Sequence, residues 1–361
     1  MSEIYTWEPS DEALAARYGV PVQHIVRFDT NTSPTPPAFV PGVLEAPAWP
    51  LNEYPDSAYQ ALTDAAAAYA GAGVRRDEVI VGAGADEILD LIGKAFLPAG
   101  GTAILPSPSY GLYPVITSQR AARRIDVPRA ARPGGWTMDV EGVVRALPGA
   151  QLVWLCEPNN PTGSADGPTA MGRILEAARG LPEPPAVVVD EAYFEFTGRT
   201  VIPWRERYPH LIVVRTLSKA FALPGIRVGW AVAARPTIAR LERVRPAGSI
   251  STISAALAAA ALARPDEARA RAAALAGERD WLAPRLAAAG WAPYPSVTNF
   301  LLVRLGSPGE ASAAAEHLLH GGLVPRTFSP DGPLGGHLRL TVRSRAENER
   351  LLAAVASFGG A

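Results

Sequence analysis

Lysine is almost missing from this chain: of 34 basic residues only Lys94 and Lys219 are lysines, and the rest are arginine. A chain that uses arginine wherever a fixed positive charge will do keeps lysine where it needs an amine that can lose its proton. Lys94 lies in the amphipathic run Glu87–Lys94, where a solvated helix face accounts for it, whereas Lys219 follows an apolar strand in a polar Ser-Lys turn. Lys219 is therefore the candidate reactive amine. Cysteine is nearly as scarce. The single Cys156 excludes an intramolecular disulfide and fits a reducing cytoplasm, and its place beside the apolar Leu152–Leu155 makes it an expected inert core thiol. No apolar run is long enough to span a bilayer, and Met1–Ser10 carries no basic-then-apolar leader. Neither sign of charge is in excess, the formal net charge being −1, so nothing advertises a nucleic-acid or membrane partner. The five histidines (24, 210, 317, 320, 337) form no metal-binding spacing; His317 and His320 share a helix face, with His320 expected to cap its end. No metal is expected.

What is present reads as a globular chain of two domains. Hydrophobic residues at 48 % and charged residues at 19 % exclude disorder, and 361 residues exceed one ordinary domain. Residues 1–45 read as an N-terminal arm that also joins the small domain, with a helix near Asp11–Tyr18 and the proline-rich Ser33–Pro37. Residues 46–240 read as the large domain. There an Ala-rich helix over Ser57–Ala70 precedes short Val/Ile/Leu runs alternating with amphipathic segments. The expected strands are Val79–Val81, Thr102–Leu105, Arg124–Val127, Gln151–Leu155, Ala186–Val189, Leu211–Arg215 and Val228–Ala233. Helices are expected at Asp86–Phe96, Tyr110–Ser118 and Val140–Leu147. Short continuous apolar strands alternating with helices predict a mostly parallel α/β sheet buried on both faces. Residues 241–361 read as a small α+β domain. Helices Thr237–Val244, Ser254–Ala263 and Asp266–Ala289 lead into strands Asn299–Arg304 and His337–Val342 and a closing helix Ala346–Ser357.

Polar residues of unusual type gather where those strands end, which is where open α/β sheets bind ligands. Gly82-Ala83-Gly84-Ala85-Asp86-Glu87 leaves one strand and opens a helix, whose first N–H groups can receive an anion. Glu157-Pro158-Asn159-Asn160-Pro161-Thr162-Gly163 follows a second strand. Asp190 ends a third, before Glu191-Ala192-Tyr193. Thr216-Leu217-Ser218-Lys219 ends a fourth, and Gly225-Ile226-Arg227-Val228-Gly229 comes soon after. Each alone could be a turn or a cap.

In this order, Asn-Pro-Thr-Gly, Asp-x-Ala-Tyr, Ser-Lys and Gly-x-Arg-x-Gly resemble the fold-type I pyridoxal-phosphate aminotransferases over nearly the whole chain. The resemblance implies a large domain with a mostly parallel seven-stranded sheet, a small α+β domain, pyridoxal 5′-phosphate as cofactor, and an amino donor and a 2-oxo acid as substrates. It implies that the Lys219 amine holds the cofactor covalently and later carries the substrate's proton. Asp190 would keep the pyridine nitrogen protonated, making the ring an electron sink. Asn160 and Tyr193 would bond the ring's 3′ oxygen, and Tyr110 would stack on the ring, with Tyr113 expected in the core. The phosphate would take the Ala85 and Asp86 amides, the Ser218 hydroxyl and Arg227. The family's shared site further implies a homodimer in which Tyr54 reaches the neighbouring copy's cofactor phosphate.

Within that group, Gly84–Glu87, Tyr54-Pro55-Asp56, Pro108–Tyr113 and Arg215–Phe221 resemble the histidinol-phosphate aminotransferases of histidine biosynthesis. Arg326 and Arg339 fall where that family has two anion-binding arginines, suited to a carboxylate and a phosphate that use one pocket in turn. Asn31 and Tyr54 join them as expected substrate contacts, with Asn160. The sequence departs from the pattern at Asn31-Thr32-Ser33-Pro34, where an acidic residue is replaced by Thr32. It departs again at Thr341-Val342-Arg343, where a glycine is expected third, and at Ser249–Ile253, which lacks the usual aromatic and Asn. Aromatic-amino-acid aminotransferase and threonine-phosphate decarboxylase stay open as siblings, and a non-catalytic cofactor-binding module as a remote alternative.

Overall fold

The structure, a computed structural model, describes residues 9–45 and 51–358. The first eight residues of the expected arm, its boundary with the large domain at 45/46 and the last three residues lie outside that range. Seven strands make the central sheet: β1 (Val79–Gly82), β2 (Thr102–Ser107), β3 (Arg123–Pro128), β4 (Leu152–Cys156), β5 (Ala186–Asp190), β6 (Leu211–Thr216) and β7 (Gly229–Ala233). Their order is β1-β7-β6-β5-β4-β2-β3. All neighbours pair parallel except β7, which runs antiparallel to both β1 and β6. The mostly parallel seven-stranded sheet expected from the sequence is the sheet observed.

Side chains alternate strictly between its two faces, as a pleated strand requires. Val79, Val81, Val153, Leu155, Val187, Val189, Leu211 and Val213 enter one apolar core. Ile80, Leu152, Trp154, Val188, Ile212 and Val214 enter the other. Helices cover both faces, so these strands read as unbroken apolar runs. Helix boundaries shift where local polar groups intervene. The Ala-rich helix starts at Gln60 rather than Ser57, because the Asp56 carboxylate accepts the N–H groups of Ala58 (3.1 Å) and Gln60 (2.8 Å) and turns the chain first. The helix expected from Tyr110 begins at Leu112, and that expected from Thr237 begins at Arg235.

A separate apolar core gathers Leu282, Leu286, Leu301, Val303, Leu338, Leu340 and Leu351 with Val26 and Phe28. Its sheet is antiparallel, Ala292–Pro293 beside Phe300–Arg304 beside His337–Thr341. The segment Val26–Phe28 pairs parallel with Leu323–Pro325, which carries the following residues Asp29–Thr32 from the C-terminal unit toward the large sheet.

Candidate active site

The strand directions deliver the polar motifs to one edge. β4, β5 and β6 are parallel, so Cys156, Asp190 and Thr216 end together, and the chain turns there into Glu157–Gly163, Glu191–Tyr193 and Leu217–Lys219. β7 is antiparallel and so starts at that edge, its Gly229 facing both Gly82 and Thr216. Here a cavity of about 850 Å³ opens between the sheet edge and the C-terminal unit.

One end of the cavity is built for an anion. The helix Gly84–Phe96 starts there, and its first N–H groups, those of Ala85 and Asp86 among them, have no partner within the helix. Glycine is required at this end: a Cβ on Gly229 would meet the Ala85 backbone nitrogen, and Gly84 adopts φ 86°, which a residue with a Cβ rarely takes. Arg227 is held in the left-handed region at φ 51°, a cost of about 1–2 kcal/mol for a residue with a Cβ. Its guanidinium pairs with Asp86 at 3.1 Å, and the Tyr110 hydroxyl donates to the other Asp86 oxygen at 2.9 Å. Ser218 is buried beside them, its hydroxyl accepting from Thr216 Oγ1 at 2.9 Å.

Asp190 lies on the floor. Its Oδ2 accepts the Tyr113 hydroxyl at 2.7 Å and its Oδ1 the Ala192 N–H at 3.1 Å. Burial pushes its carboxyl up to about 6, against the pull of those hydrogen bonds and of Lys219. Burial, followed by the charge of Arg339, brings the Lys219 amine down to about 8, so its neutral form is within easy reach. The Lys219 amine donates to the Thr30 carbonyl at 3.4 Å.

The opposite wall comes from the C-terminal unit and the arm. Arg326 and Arg339 face each other in an antiparallel bridge, exchanging backbone hydrogen bonds of 3.0 Å both ways. Residues so opposed project to one side of their ribbon, and both arginines line the cavity. Arg339 donates to Asn160 Oδ1 at 2.6 Å and to the Asp29 carbonyl, and its guanidinium lies over the Phe300 ring. With its oxygen turned to Arg339, Asn160 presents its amide nitrogen as a donor. Asn31 adopts φ 54°, which asparagine tolerates, and its Nδ2 donates to the Tyr193 hydroxyl at 2.9 Å. Thr341 and Asn299 fix that arm residue by hydrogen bonds to its backbone.

Thus Asn31, Ala85, Asp86, Tyr110, Asn160, Asp190, Tyr193, Ser218, Lys219, Arg227, Arg326 and Arg339 all line one cavity. Tyr54 does not: its side chain is 96 % exposed at the surface. Thr32, which stands where an acid was expected, shares a hydrogen bond between its hydroxyl and that of Thr30, and its carbonyl accepts from Arg343. Some of the site's contacts are not assigned by the motifs. Tyr113 is core, as expected, yet bonds Asp190 across 77 positions of sequence. Glu191 and Arg215 form a buried ion pair at 2.6 Å that ties the end of β5 to β6 beside Asp190 and Lys219. Phe328, Ser329 and Gly332–Leu334, with the Arg124/Asp126 pair of β3, line the cavity as well. Among the described residues no group of three or more His, Cys, Asp or Glu is placed to hold a metal, and no helix is long and apolar enough to cross a membrane.

The donor set fits a flat aromatic ring carrying an aldehyde and a phosphate: an amine, a buried acid on the floor, two hydrogen-bonding groups at one side, and amides with a hydroxyl and a guanidinium at the far end. Comparison with known proteins points the same way. The family model "Aminotransferase class I and II" matches residues 26–355. Histidinol-phosphate aminotransferase of Roseiflexus castenholzii is 35 % identical over 97 % of this chain and 94 % of its own length. Its namesake in Salmonella typhi is 37 % identical over 84 % of each chain. The structure of histidinol-phosphate aminotransferase from Sinorhizobium meliloti, in complex with pyridoxal-5′-phosphate, superposes with a TM-score of 0.87 at 28 % identity, over 98 % of this chain and 95 % of that one.

Proposed function

This chain belongs to the class I and II aminotransferases, and from that premise we propose that it moves an amino group between histidinol phosphate and the 2-oxoglutarate/glutamate pair, with pyridoxal 5′-phosphate as cofactor. The observation that carries the substrate is the facing pair Arg326 and Arg339, open to the same cavity as Lys219 and Asp190. Two arginines opposed on one ribbon and lining one cavity suit a phosphate or a carboxylate equally, as a reaction that alternates the two in one pocket requires. The names of the similar proteins support the same substrate.

When bound, pyridoxal phosphate supplies the aldehyde that captures amines and a protonated ring that draws electrons from the substrate. The chain's residues do the rest. Lys219, its amine easily deprotonated, would hold the cofactor through its aldehyde. When free, that amine would take the proton from the substrate's α-carbon. Asp190 would keep the ring nitrogen protonated from the floor. Asn160 and Tyr193 would bond the ring oxygen, Tyr110 would cover the ring face, and Arg227, Ser218 and the Ala85 and Asp86 amides would hold the phosphate. Arg339, through its bond to Asn160, would couple the substrate anion to the cofactor wall.

The reading extends to a cytoplasmic C₂ dimer, in which the exposed Tyr54 completes the neighbouring copy's phosphate site and joins its substrate contacts. Mixing holoenzyme separately with histidinol phosphate, phenylalanine, threonine phosphate and glutamate tests the assignment. Histidinol phosphate and glutamate should each shift the cofactor absorbance lastingly. Full conversion by phenylalanine with none by histidinol phosphate would make it an aromatic aminotransferase. Carbon dioxide from threonine phosphate, with the absorbance returning to its start, would make it a decarboxylase.

A further inference from the structure

Tyr113 has no part in the chemistry so far, yet its setting is more constrained than a packing role needs. The side chain is fully buried, and its ring stacks on Trp154 at 5.2 Å with planes 8° apart. Its other flank meets Tyr110 edge-on at 5.6 Å. Trp154 is fixed in turn, its Nε1 donating to Thr117 Oγ1, which donates to the Tyr113 carbonyl one helical turn back. So held, the hydroxyl reaches Asp190 Oδ2 at 2.7 Å, with the neutral Cys156 thiol as its other polar neighbour. The ring, locked on both sides, aims a donor at the floor carboxylate from below.

We propose that Tyr113 is a positioning residue for the transfer reaction, which orients the Asp190 carboxylate and keeps it ionised toward the cofactor's ring nitrogen. The proposal rests on the reading that Asp190 faces that nitrogen. A hydrogen bond donated to a carboxylate favours its charged form. Burial and the neighbouring Asp190 charge hold the Tyr113 hydroxyl well above its usual range, so it remains a donor across the working pH. Without it, the buried Asp190 would keep one backbone donor, Ala192. The other groups facing Asp190 do not replace it. Cys156, its partner in the next strand and a neighbour of the Tyr113 hydroxyl, is pushed up to about 12 and stays neutral; Asp86 opposes ionisation, and Lys219 favours it. Once the Lys219 amine loses its proton, that support is gone while the tyrosine's remains.

Tyr113→Phe removes the hydroxyl and keeps the stacked ring. In the chain without cofactor, the Asp190 carboxyl band in infrared spectra, identified by its loss in Asp190→Asn, should titrate about one to two pH units higher in Tyr113→Phe, the range for a hydrogen bond to a charged group. In the loaded enzyme, kcat should fall by about tenfold or more with KM little changed, and the acidic limb of the pH profile should rise by the same amount. In an Asp190→Asn background, Tyr113→Phe should cost nothing further. If the phenylalanine variant does not fold, 3-fluorotyrosine at position 113, a stronger donor of nearly the same shape, should shift the Asp190 titration downward. An unshifted titration, or equal losses in both backgrounds, overturns the proposal. Asp190→Asn with undiminished turnover would instead overturn the reading on which it rests.

Discussion

Replacing Asp190 with Asn removes a charge and keeps the shape, and turnover and stability should then move in opposite directions. In the chain without cofactor the carboxyl is raised from 3.8 to about 6, chiefly by burial. A rise of that size separates its two protonation states by about 3 kcal/mol. The folded chain binds that proton more tightly than the unfolded one. The resulting stabilisation is complete below about pH 4 and lost as pH rises through about 6. An amide does not titrate and so escapes that loss. It has, however, one acceptor oxygen for the two donors, Tyr113 and Ala192, that now meet two oxygens, which costs about 1 kcal/mol. The cofactor-free variant should therefore be about 2 kcal/mol more stable than the parent at about pH 8, and no more stable near pH 4. With cofactor bound, the ring nitrogen loses its ionised partner. Removing one member of a buried pair costs about 3–5 kcal/mol, or roughly two to four orders of magnitude in rate. Denaturant unfolding at the two pH values and single-turnover absorbance measurements read both effects. A variant that is less stable at pH 8, or that turns over within tenfold of the parent, would refute the reasoning.

The remaining expectations concern the anion pocket, the scaffold and the assembly. Arg339→Ala should weaken the histidinol-phosphate and glutamate half-reactions together, by about 1.5–3 kcal/mol in substrate binding, with Arg326→Ala acting alike but less; a loss confined to one half-reaction would mean that the two anions do not share the pocket. Arg215→Leu strands the buried Glu191 charge between β5 and β6, and should lower unfolding free energy by about 3–5 kcal/mol; a loss under about 1 kcal/mol would show the pair to be dispensable. Inactive Lys219→Ala mixed with inactive Tyr54→Ala should regain activity, because the hybrid dimer holds one site with both residues intact, and mixtures that stay inactive would mean Tyr54 does not act across a subunit boundary.

Much of this site is legible in the sequence, because its residues leave the ends of strands that announce themselves. Ala186–Val189 is apolar throughout, so a chain turning polar at Asp190 marks the place where the strand meets the sheet edge. The near absence of lysine singles out Lys219 in the same way. What stays hidden depends on contacts between distant segments. Nothing at Tyr113 signals a bond to a residue 77 positions on, and Glu191 with Arg215 looks like any pair of charges until β5 and β6 are side by side. The three-residue pairing of Val26–Phe28 with Leu323–Pro325 is too short to carry a period. The helix Gly167–Arg179 differs, since Met171, Ile174, Leu175 and Ala178 have helical spacing and form its buried face. That signal is present in the sequence. The helix Pro308–His320 likewise starts with a Ser307–Glu310 capping box visible as Ser-x-x-Glu.

The account turns on one amine, and one measurement reaches it directly. Borohydride added to the resting holoenzyme, followed by digestion and mass mapping, should leave the cofactor fixed to the peptide containing Lys219 and to no other. The chain offers only one alternative lysine, Lys94, which pairs with Asp90 at 2.6 Å on an outer helix face. Cofactor mass on the Lys94 peptide, or on neither, would contradict the account.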